Sequence, residues 1–292
     1  MHVRVLVADA TGALGRGLLI RLARHRHAVR AIARPPATFS PFGVEWVEAD
    51  LLVDDLLEVA RGCDAVVHVA TAGAPNGARL DGRRFTAATR RLLDAAIACG
   101  VPRFVQQSFV VAYRDGGDRW LDEDARLDDV SRSAISGPII EAETMIREVD
   151  ARALAWTILR GGSFVGAGTR QDALVDRLRR RRVFVAGDGS NYVSPLNRAD
   201  MAAAVVAALE RAPAGSTFNI VDEPLRYSDY VDALADLIGV ERPPRTTRSR
   251  LPASRRCTNR AARATLGWMP RHSIWPSRAA ERDRVRADPS RM

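Results

Sequence analysis

The stretch from Val5 to Arg16, Val-Leu-Val-Ala-Asp-Ala-Thr-Gly-Ala-Leu-Gly-Arg, constrains the fold more than any other. It reads as an apolar strand, a glycine turn and the start of a helix. A strand that is apolar at every position is buried on both faces, which is the habit of parallel sheets. Parallel neighbours cannot be joined by a tight turn, so helices must alternate with the strands. The remaining sequence follows that rule. Apolar runs predict strands at 3–8, 29–33, 44–47, 65–70, 104–107, 155–159, 183–185 and 217–221. Helical periodicity predicts helices at 13–25, 83–99, 138–149, 172–181, 199–211, 227–238 and 259–266.

The expected class is therefore α/β: a Rossmann-type doubly wound parallel sheet with a small C-terminal lobe. Residues 1–275 form one unit, with 1–160 as the dinucleotide-binding core and 161–275 as mixed core and lobe, and 276–292 is a charged tail. The chain of 292 residues contains no lysine, so all 44 basic residues are arginine, and the formal charge is +9. Most arginines alternate with acidic residues on amphipathic helices. Dense runs occur only at Arg177–Arg182 and Arg242–Arg256, without interleaved stacking aromatics, which argues against nucleic acid as a partner. Cys63, Cys99 and Cys257 are odd in number and widely spaced, so neither a disulfide framework nor a metal site is expected. No apolar run approaches the roughly 18–20 residues that span a bilayer. Entry into a strand from the first residues leaves no room for a secretory leader. The expected location is the cytoplasm, with the oligomeric state open and a homodimer as one option.

The glycine turn has chemistry of its own. Backbone N–H groups at a helix start sit at the positive end of the helix dipole, which suits a diphosphate. Thr11, Gly12, Ala13, Leu14 and Gly15 form that cradle, with Thr11 able to cap the helix. Asp9 stands where a three-glycine fingerprint has its first glycine. Its carboxylate can either bond a ribose hydroxyl or repel a phosphate. At the end of the second strand, Arg34 has no acidic neighbour, which favours NADP over NAD. Asp50 and Leu51, after the third strand, can meet the adenine.

The order of motifs resembles the extended short-chain dehydrogenase/reductases, the NAD-dependent epimerase/dehydratase family, over about residues 1–275. The segment Val7–Gly15 is similar to Gly-Ala-Thr-Gly-x-x-Gly apart from Asp9. Cys63–Ala70 looks like the family's fourth strand, which implies that Ala70 ends it beneath the cofactor. Leu159–Gly166 resembles Leu-Arg-Pro-Gly-x-x-Tyr-Gly with Gly161 for proline, and Leu266-Gly267-Trp268-x-Pro270 resembles the ending of the family's substrate lobe, which implies a small C-terminal substrate lobe here. The resemblance implies a catalytic Ser/Tyr/Lys set, and here it fails. The serine position falls on Phe109, the tyrosine on Ile135 and the lysine on Ile139, with Glu143 matching the helix glutamate that follows. Family chemistry uses a tyrosine whose pKa is lowered by the lysine. Ser108 and Tyr113 are the remaining candidate hydroxyls, and Phe109, Ser163 and Phe164 the candidate pocket wall.

Three readings stay open: an NADP-dependent enzyme with altered or lost redox chemistry on a small apolar metabolite, a non-catalytic redox- or ligand-sensing regulator, and a cofactor-independent cyclase or isomerase. His68 is expected to be a satisfied core residue, and the acidic run Asp122–Asp124 to be solvated.

Overall fold

A computed structural model describes residues 2–33, 43–69, 81–129, 135–247 and 251–276. Seven parallel strands form the central sheet: β1 (Arg4–Ala8), β2 (Ala28–Ala33), β3 (Val44–Glu48), β4 (Ala65–His68), β5 (Arg103–Phe109), β6 (Ala155–Gly161) and β7 (Ser216–Ile220). Their spatial order is β7-β6-β5-β4-β1-β2-β3, so the chain runs outward one way from β1, returns, and continues the other way. That reversal beside β1 opens a crevice at the carboxyl ends of β1 and β4, where open α/β sheets take their ligands.

The two faces of the sheet follow from strict alternation. Val5 and Val7 join Val29, Ala31, Val67, Val105 and Leu159 in one cluster with the helices α1 (Ala13–Arg24) and α6 (Arg198–Arg211). Leu6 and Ala8 join Ile32, Val66, Phe104 and Ile158 in a second cluster on the opposite face. There the sheet meets α2 (Leu56–Ala60), α3 (Gly82–Ala98) and α4 (Ser136–Arg147). Helices α1 and α6 pack side by side on the same face, so the crossover from β6 to β7 through α6 has the opposite hand to those through α1, α3 and α4.

A third, smaller cluster holds the lobe together, with Val175 and Leu178 of α5 (Arg170–Arg179) against Tyr230, Val231 and Leu234 of α7 (Tyr227–Ile238). The last helix, α8 (Arg260–Leu266), stops at Gly267 in the left-handed conformation. Asp200 of α6, buried, then ties down the chain beyond it by accepting from the backbone N–H groups of Arg271 and His272. Helix α2 and several two-residue strand pairs, among them 120–121 with 256–257, lie outside the sequence-based expectation, because segments that short carry no readable period. The expected strand at 183–185 reduces to Val185–Ala186.

Candidate functional site

Helix α1 starts at the glycine turn. Its N-cap is Gly12, with no side-chain cap and no acidic residue in the first turn, so its first N–H groups remain available to an anion. The expected cap from Thr11 does not form; the Thr11 carbonyl accepts from Arg16 Nε at 3.0 Å instead. Gly15 sits so close to the strand end that a Cβ there would lie 2.4 Å from the Ala10 carbonyl oxygen. That is the close strand-to-helix approach a dinucleotide fingerprint needs. Asp9 takes the left-handed conformation, φ 60°, which glycine adopts freely and Asp more readily than most side chains. The residues present therefore fit a diphosphate, with Asp9 as the one departure. Leu14 is a buried core residue under the turn. Asp50 closes a local turn by accepting from Leu52 N–H at 2.8 Å, and Leu51 packs on the α3 side of the sheet. Arg34 and Ala70 lie outside the described residues.

Deeper in the crevice, parallel register lines up three polar residues. Ser108 of β5 is paired with Arg160 of β6, and Arg160 with Asn219 of β7, so the three form one row across the sheet. Across from that row stands Glu143 of α4. Ser108 donates to Glu143 Oε1 at 2.5 Å, and Arg160 forks onto the same carboxylate through Nε at 3.0 Å and Nη2 at 2.6 Å. The other arm of Arg160 reaches the Tyr113 hydroxyl at 2.7 Å, which donates in turn to Asn219 Oδ1 at 2.8 Å. The guanidinium also lies over the Tyr113 ring, 4.7 Å from its centroid. Ser108, Tyr113, Glu143, Arg160 and Asn219 are all buried.

This network consumes both candidate hydroxyls. Burial pushes the Tyr113 hydroxyl well above the ordinary tyrosine range, against the pull of Arg160. Burial also works against the charge on Arg160, but its bonds to Glu143 and Tyr113 more than offset this and its net shift is upward. Glu123, expected to be solvated, is instead part of the same assembly. Its carboxylate accepts the Asn219 backbone N–H at 2.7 Å, and burial raises its pKa. No periodicity in the loop could have shown this; the signal is tertiary.

The three positions where the resemblance implies catalytic side chains gather as an apolar corner. Ile135, Ile139 and Glu143 recur every four residues and so share one face of α4. Ile139 and Phe109 belong to the same buried cluster, and Val111, Leu127, Ile135 and Phe164 pack on it while partly exposed. Phe164 meets Phe109 edge to face with ring centroids 6.3 Å apart. Ser163 is exposed beside them and pairs with Pro195. Gly162 allows that pairing, since a Cβ there would strike the Ser194 carbonyl at 2.3 Å. Among the described residues no cluster of His, Cys, Asp or Glu could hold a metal ion. Among them, too, no helix is long and apolar enough to cross a membrane.

Sheet order, glycine cradle and crevice define a dinucleotide-binding type of α/β fold. A family model described as NAD(P)H-binding matches residues 10–212, and the chain belongs to that family. It is 31% identical over 303 residues to the 3-diazoavenalumate denitrifying reductase of a Streptomyces species, covering 94% of this chain and 98% of the relative. The solved structure of MoeE5 in complex with UDP-glucuronic acid and NAD superposes with a TM-score of 0.74 at 26% identity, covering 93% of this chain and 95% of that one. The dTDP-glucose 4,6-dehydratase DesIV of Streptomyces venezuelae shares the fold, with a TM-score of 0.78 at 19% identity over 93% of each chain.

Proposed function

We propose that this protein is an NAD(P)H-dependent reductase for a small aromatic acceptor that takes up hydride without help from a protein acid. One observation carries the reading. The corner where family members place their proton-transferring side chains is built here from Phe109, Ile135 and Ile139, while Ser108 and Tyr113 are buried in an ionic network. Ketone reduction creates an alkoxide that needs a proton, so an apolar corner suits it badly. An acceptor that is already cationic has no such need.

The relative that acts as a denitrifying reductase points to a diazo-bearing aromatic compound as the substrate class. Bound reduced nicotinamide would supply hydride; with an aryl diazonium cation, the hydride replaces N₂ at the ring carbon, giving a C–H bond, free N₂ and oxidised cofactor with no proton drawn from the protein. The chain's residues hold and exclude. The turn at Gly12–Gly15 takes the diphosphate, and Phe109 and Phe164 offer an aromatic wall for a flat substrate. Ile135 and Ile139 keep water from the reacting corner. Ser108 and Tyr113 act by fixing the sheet ends beneath it. NADP is the preferred cofactor on the strength of Arg34, with NAD as the alternative.

The test follows reduced-cofactor absorbance over a panel of aryl diazo compounds, quinones and ketones. Turnover confined to the electrophiles that need no protonation supports the proposal. Ketone reduction as fast as diazo reduction contradicts it. Tight cofactor binding without turnover on any acceptor shifts the reading to the redox-sensing regulator.

A further inference from the structure

The segment beside the apolar corner sets two arginines against each other. Tyr113 and Leu127 pair as an antiparallel bridge. Backbone bonds from the Arg114 N–H to the Arg126 carbonyl at 3.0 Å and from the Asp128 N–H to the Ala112 carbonyl at 2.8 Å fix its register. Arg114 therefore stands opposite Arg126. Tyr113 is buried and Leu127 half-buried, so alternation sends both arginines to the outer face, where both are exposed. Like charges directly opposite on paired strands, with Cβ atoms about 5 Å apart, repel each other. Among the described residues, neither guanidinium has a carboxylate within ion-pair distance.

Both arginines line one cleft of about 230 Å³, together with Leu127, Asp128 and Asp129. Asp128 turns its carboxylate to local partners, accepting from the Asp129 N–H at 2.9 Å and the Ser136 hydroxyl at 3.4 Å. Leu127 joins the cleft to the apolar corner, because it packs on the cluster that contains Phe109 and Ile139. The other arginines that touch this segment are already occupied. Arg160 is held by Glu143 and Tyr113, and Arg255 donates to the backbone carbonyls of Val111 and Tyr113. Arg114 and Arg126 thus present two planar forks of donors that match a carboxylate, beside an apolar wall that suits a ring.

We propose that Arg114 and Arg126 form an anion clamp for a carboxylate on the substrate, so that the acceptor is an aromatic acid rather than a neutral arene. The inference rests on the reading of the apolar corner as the seat of the aromatic ring. The corner then selects a flat apolar body, and the clamp selects its charged end. A carboxylate between the two guanidinium groups also supplies the counter-charge that the bridge lacks.

Titration calorimetry of the full chain with cinnamate and with its methyl ester, with NADP present, reads the clamp without turnover. The acid should bind about tenfold tighter than the ester at low ionic strength, by a margin that shrinks as salt is raised. Combining Arg114→Gln with Arg126→Gln should remove the margin. Arg114→Glu, which sets an ion pair across the bridge, should remove it while raising thermal stability. Equal affinity of acid and ester for wild type overturns the proposal, as does a margin that survives in the double variant. If the double variant does not fold, Arg114→Glu decides by the same comparison. Failure of both probes to bind overturns the clamp together with the seat of the ring. A margin in a protein that reduces no diazo acceptor upholds the clamp and removes the reductase reading. Diazo turnover that is equally efficient on neutral and acidic arenes removes the clamp and leaves that reading in place.

Discussion

Glu143 carries three tasks at once: it accepts from Ser108, holds both nitrogens of one edge of Arg160, and lies 3.6 Å from Arg147 one turn along α4. A buried ion pair of this kind is weak evidence for stability as a pair, since desolvation cancels much of its attraction. Breaking it is another matter, because the partner left behind is a buried uncompensated charge. Glu143→Ala should therefore destabilise the protein by about 3–5 kcal/mol in urea denaturation. The double variant Glu143→Leu with Arg160→Leu should cost clearly less than the sum of the singles, because neither charge is stranded. Strict additivity would mean the two residues act independently. The sequence shows each of these residues but not their meeting. Ser108 and Tyr113 stand near the expected catalytic serine, and only the register of β5, β6 and β7 turns Ser108 toward Arg160.

At the scale of the element, α1 shows how much is legible and why. Its strand, turn and helix are predicted within a residue or two, because an apolar run, a glycine turn and a helical stripe are local signals. The central strands and α3 to α8 follow for the same reason. Local pattern is blind to whether a side chain caps, packs or pairs, so the Thr11 cap fails and the role of Glu123 goes unseen. The cradle makes a sharp contrast between two glycines of one helix. A Cβ at Gly17 would meet nothing within 4 Å, whereas one at Gly15 would press on the Ala10 backbone. Gly17→Ala should stabilise by about 0.5–1 kcal/mol through helix propensity. Gly15→Ala should lower both thermal stability and dinucleotide affinity. Equal effects of the two substitutions would show that the strand-to-helix approach carries no constraint.

Over the whole molecule, division of labour follows the direction of the strands. The carboxyl ends of β1 and β4 carry the cradle, those of β5 and β6 the apolar corner and its buried anchor, and the lobe of α5 and α7 stands beyond. The NAD(P)H-binding fold is retained, and Phe109, Ile135 and Ile139 make one corner of the crevice apolar. Hydride delivery without a protein acid is the claim on which the account rests. Single-turnover oxidation of reduced cofactor by an aryl diazo acceptor, timed in H₂O and in D₂O, tests it most directly. The predicted rates are equal in the two solvents and unchanged by Ser108→Ala or Tyr113→Phe in protein that remains folded. A slower rate in D₂O that either substitution abolishes would place a proton donor in the site and contradict the account.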